Sequence, residues 1–159
     1  MKMRILLHAV LTGLLVSLSF AALAQEDNKT DGAQKAALWI QANGRSILGE
    51  ADLQNMRFPD QAIAQAVFEQ NVIKIKQDEK VQLKVEIIEP DGDILDVTND
   101  AAIAYQALSP WTLTVSDSGL VAPATDAGMR VGIGDASVLI AFDTPAMAGW
   151  NKVFFKVVR

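Results

Sequence analysis

The two side chains that most often serve as nucleophile partner or metal ligand are nearly missing from this chain. It has no cysteine and one histidine, His8. What remains for chemistry is 19 carboxylates, the hydroxyls of Ser, Thr and the single Tyr105, and lysine. Glu89, Asp91, Asp93, Asp96 and Asp100 invite a calcium reading, because a hard cation takes several carboxylate and carbonyl oxygens. Their spacing departs from the D-x-[DN]-x-[DN]-G pattern of an EF-hand loop, and a solvated acidic hairpin is the simpler expectation. Gly128, Gly132 and Gly134 look superficially like a phosphate loop. No Gly-Lys-Ser/Thr follows and no strand-to-helix junction is expected there, so a loop or bulge is predicted. Trp39, Trp111 and Trp150 could form an aromatic platform for sugar or peptide. Trp111 alternates with Leu113 and Val115, which predicts a core or rim position, while Trp39 and Trp150 are expected to pack outlying segments. Paired carboxylates could serve a glycosidase and a Ser-Lys pair a hydrolase, yet no local motif marks either. No residue is therefore assigned as catalytic, cofactor-binding or metal-ligating, no cofactor is expected, and an enzyme is not.

The first 24 residues read as a removable signal. Lys2 and Arg4 precede a mostly apolar Ile5 to Val16, and Ala22-Leu23-Ala24 forms an A-x-A cleavage pattern. A bilayer core needs about 20 apolar residues, and this run is shorter, broken by Gly13 and followed by Gln25-Glu26-Asp27. Cleavage after Ala24 removes Lys2, Arg4 and His8 but no acid, which moves the formal charge from −5 to −7. The exported chain then holds neither His nor Cys. That excludes Ser-His-Asp and Cys-His sites, Cys/His zinc and haem ligated by either residue, and leaves stability to an apolar core. The acidic balance disfavours nucleic acid and anionic lipid as partners.

The elements that must position any site fall into two regions. Residues 25–71 are expected to be a partly helical N-terminal extension. Gln25 to Gly32 is polar; Ala33 to Ala42 is rich in helix formers, with a strand over Ala36 to Gln41 as the competing reading. Pro59-Asp60 opens a helix from Gln61 to Gln70, with Ile63, Val67 and Phe68 on one face. From Val72 the period becomes two. Ile73 and Ile75, Val81 to Ile87, and Leu113 and Val115 alternate with polar residues, while Val138, Ile140 and Phe142 share one face of a strand and Val153, Phe155 and Val157 share one face of another. Pro90-Asp91-Gly92, Ser116 to Gly119, Ala127-Gly128 and Thr144-Pro145 supply turns. Residues 72–159 are thus expected to form an all-β antiparallel sandwich.

The stretch from Val72 to Phe142 resembles the bacterial Ig-like domain of group 2, found in invasin- and intimin-like surface proteins. The residues that carry the likeness are Val81 to Ile87, Asp91-Gly92, Asp96-Val97-Thr98, Tyr105, Ser109-Pro110, Val115 to Val121 and Gly134 to Ile140. Tyr105 stands where the family more often has Trp, and the strand from Lys152 to Val158 lies beyond the usual end. The resemblance implies an Ig-like sandwich that works in the bacterial periplasm or at the cell surface. Function is then expected to be non-enzymatic contact with an envelope protein or extracellular ligand, by analogy of fold. Competing expectations are a carbohydrate- or calcium-dependent binder and a small hydrolase. Val153 to Val158, with Phe154 and Phe155 on opposite faces, is expected either to complete the sandwich or to offer a sticky edge.

Overall fold

The computed structural model describes residues 35–125 and 132–159. The leader, Ala127-Gly128 and most of the glycine-rich run lie outside them. Among the described residues, no helix is long and apolar enough to cross a membrane.

The first sheet begins earlier in the chain than expected. Strand β1 (Ala37–Ala42) turns through Asn43-Gly44 into β2 (Arg45–Ile47), and β1 pairs antiparallel with β4 (Val81–Ile88) from Ala37↔Ile88 to Ala42↔Leu83. Over the described residues this corrects the helical reading in favour of its strand alternative, from Ala37 to Ala42. Ala and Gln give that segment helix propensity, but Ile40 and Ala42 point inward beside Val85 and Leu83, and six-residue pairing outweighs a weak local preference. Strands β5 (Ile94–Asp96), β7 (Leu113–Val115) and β8 (Leu120–Pro123) complete this sheet, in the order β2-β1-β4-β8-β7 with β5 also on β4.

The second sheet runs β3-β10-β9-β6, from β3 (Ile73–Lys76), β6 (Ile103–Ala107), β9 (Gly134–Asp143) and β10 (Ala148–Val158). It is not wholly antiparallel: β3 and β10 run parallel, from Phe155↔Ile73 to Val158↔Lys76. No short connection joins these two strands, so no hairpin turn dictates their direction. The terminal strand is interior to its sheet, with β9 on one side and β3 on the other.

Period-two alternation sends Leu83, Val85 and Ile87 of the first sheet and Val138, Ile140, Val153 and Phe155 of the second into one hydrophobic cluster. The result is a mostly-β, sandwich-like body in which each sheet covers the other's apolar face. Tyr105 enters this space half-buried, and its hydroxyl donates to the Thr98 carbonyl at 2.9 Å. Burial, with the Asp96 charge, pushes that hydroxyl up to about 12. Gly119 (φ 76°) sits beneath the ring, where an added Cβ would lie 3.0 Å from Tyr105 Cζ. Both backbone and space therefore require glycine at this turn.

Two short helices close the remaining margins. Helix α2 (Gln61–Asn71) starts at Asp60, whose carboxylate accepts from Ile63 N at 2.8 Å, and lays Phe68 edge-on against Phe154 with centroids 5.0 Å apart. Ile63 nonetheless stays exposed, so the expected apolar face is only partly used. Helix α1 (Glu50–Asn55) meets the first half of β10, which β3 does not reach. Buried Asn151 joins them: its Oδ1 accepts from Ala51 N, and its Nδ2 donates to Asp52 Oδ2 at 3.0 Å. Gly49 fits because a Cβ there would overlap the Asn151 amide.

Candidate functional site

The charged residues separate into a compensated cluster and an uncompensated one. On the outer face of the first sheet, Glu86 is buried although charged. Its carboxylate accepts from Lys84 Nζ at 2.5 Å and Gln41 Nε2 at 2.6 Å, with Asp96 a further 3.8 Å contact for the lysine. The bond to Glu86 holds the Lys84 ammonium above its ordinary range. Thr98, donating through both side chain and backbone, holds Asp96 below the usual carboxylate range. Every charge here has a partner, so the cluster fastens β1, β4 and β5 together.

The five-carboxylate run expected near the hairpin divides. Asp96 belongs to the paired cluster, and the Asp100 side chain accepts from Ala102 N. Glu89, Asp91 and Asp93 do come together, with carboxylate oxygens within 4.8 Å of one another. Asp91 and Asp93 are exposed, and Asp91 accepts from the Asp93 backbone N–H, as in a solvated turn. Among the described residues no lysine or arginine forms an ion pair with these three.

The tryptophans do not form one platform. Trp39 lies half-buried with its indole N–H donating to Ser46 Oγ at 2.7 Å, which ties β1 to β2. Trp111 is 74% exposed, contrary to the core or rim position expected from its alternation. Thr112 and Leu113 both donate backward to the Ser109 carbonyl, so Trp111 is in a turn and the inward alternation begins only at Leu113. Trp150 is also more than half exposed, on the outer face of β10. A shallow groove lies elsewhere, between α2 and the second sheet, lined by Phe68, Val72, Lys74, Asp135, Phe154 and Lys156.

One feature escapes the sequence reading. Strand β5 exposes Ile94 (52%) and Leu95 (45%) together at a sheet margin. The signal was present as two adjacent large apolar residues straight after the Asp91-Gly92 turn, but a three-residue strand is too short to show a period. Compared with protein-family models and with curated proteins, the chain matches none.

Proposed function

We propose that the chain is an exported, non-enzymatic binding module of the bacterial cell envelope, built as an Ig-like sandwich and acting by stoichiometric contact with another protein. The observation that carries this reading is the exposure of large apolar side chains on well-supported strands and turns, Trp111 above all. Water-exposed tryptophan gains nothing for the fold, whereas aromatic anchors on rigid supports dominate contact energies. The Asp91-Gly92 and Gly119 turns, with φ of 95° and 76°, and Tyr105 between the sheets support the Ig-like assignment. The Lys2/Arg4, apolar and Ala22-Leu23-Ala24 sequence supports export.

The test is crosslinking in whole cells followed by mass spectrometry, with hydrolase screens on the purified chain. A recovered partner whose yield falls on Trp111→Ala supports the reading. Turnover abolished by changing one Ser or carboxylate, with no recoverable partner, overturns it.

A further inference from the structure

We propose that β5 is a docking edge for an extended basic segment of a partner protein, which adds to the first sheet as a further strand. This rests on the reading of the chain as a binding module and names the chemistry of what it binds.

Backbone alternation shows what the edge offers. Glu89 N donates to the Asp93 carbonyl, and Val97 N donates to the Val85 carbonyl. In an antiparallel ladder bonded pairs alternate, so Leu95 bonds to Ile87 while the N–H and C=O of Ile94 and Asp96 face away from β4. The edge therefore holds donors and acceptors spaced for an added strand. The side chains suit the same occupant. Leu95 pairs with Ile87, a core residue, and so stands on the core side of the sheet, yet it is 45% exposed. Ile94 pairs with Ile88 on the outer side and is more exposed still. An incoming strand with apolar residues at both positions extends the core on one face and covers Ile94 on the other.

Charge chooses the occupant. β5 leaves the hairpin that carries Glu89, Asp91 and Asp93, three clustered carboxylates without an ion-pair partner among the described residues. A second copy of this chain would bring the same acids to them, and like charges at short range repel. Lysine or arginine at the end of the strand that lies over the hairpin meets them instead. The β3 and β2 edges lack this combination: β3 presents Lys74 and Lys76 outward, which guards an edge against pairing, and β2 presents Arg45 and Ser46.

The experiment uses the full chain and a short labelled peptide with valine at alternate positions and lysines clustered at one end, read by fluorescence anisotropy. The lysine peptide is expected to bind at least about tenfold more tightly than its glutamate counterpart, a preference that shrinks as salt rises. Replacing Glu89, Asp91 and Asp93 by their amides should erase the preference, and Ile94→Lys should abolish binding. N-methylation of alternate peptide nitrogens should abolish it too, because strand addition uses the backbone. Equal binding of the two charge variants, or undiminished binding of the methylated peptide, overturns the proposal. Failure of the series while whole-cell crosslinking recovers a Trp111-dependent partner removes the β5 edge and leaves the binding reading standing; failure of both removes both.

Discussion

Strands β3 and β5 are both short edge strands, and the molecule treats them oppositely. In β3, Ile73 and Ile75 are buried and Lys74 and Lys76 face water. In β5, all three residues are exposed and two of them are large and apolar. The first arrangement follows from folding alone: apolar residues go inward, and lysines keep other chains away. The second contributes little to the core and leaves an unguarded edge. Where a fold spends exposed apolar surface without gain in stability, contact with something else is the physical account to test.

The comparison breaks most visibly if the two strands respond alike to substitution. Ile75→Ala should destabilise by about 2–5 kcal/mol, because it leaves a cavity between the sheets. Chemical denaturation measures this, and a midpoint unchanged from the parent chain would remove β3 from the core. Gly119→Val should cost about 1–3 kcal/mol, since a β-branched residue is strained at φ 76° and its Cβ meets Tyr105. Tyr105→Phe should cost about 1 kcal/mol through loss of the bond to the Thr98 carbonyl, again read from the denaturation midpoint. Leu95→Lys should change the midpoint by less than about 0.5 kcal/mol, as expected away from packed features.

Titration sharpens the same contrast between covered and open parts. Tyr105 is the one tyrosine of the chain, so tyrosinate absorbance reports it alone. Its folded value, raised to about 12 from 10.0, means that its contribution to stability is whole below 10.0 and is lost as pH rises through about 12. A titration midpoint near 10.0 would place Tyr105 in water instead of between the sheets. Asp96 is shifted the other way. Its contribution is present above its ordinary value of 3.8 and is lost as pH falls through the lowered one. Asp96→Asn should therefore weaken the dependence of the denaturation midpoint on acid pH.

Much of this was legible in the sequence where a pattern was long enough to repeat. Val81 to Ile87, Val138 to Phe142 and Val153 to Val157 alternate over several residues, and each became a strand with the expected inward face. Asp60 announced α2 through its capping chemistry. The misreadings share one cause, that partners distant in the chain decide what short segments do. Ala37 to Ala42 became a strand because β4 was there to pair with it, and β3 runs parallel because its neighbour is the last strand. Trp111 shared the alternation of Leu113 and Val115 until the Ser109 turn took it out of the strand. Asn151, buried at the α1–β10 junction, lies in no motif or periodic run that would mark it in the sequence. The exposure of Ile94 and Leu95 was the least legible, because it depends on which strand lies beside β5.

Amide hydrogen exchange across both edges tests the contrast most directly. In the free chain the Ile94 and Asp96 amides should exchange quickly, and adding the lysine-ended peptide should slow them while leaving the β3 amides as they were. Unchanged exchange at Ile94 and Asp96 with the peptide bound, or equal slowing along β3, would contradict the account.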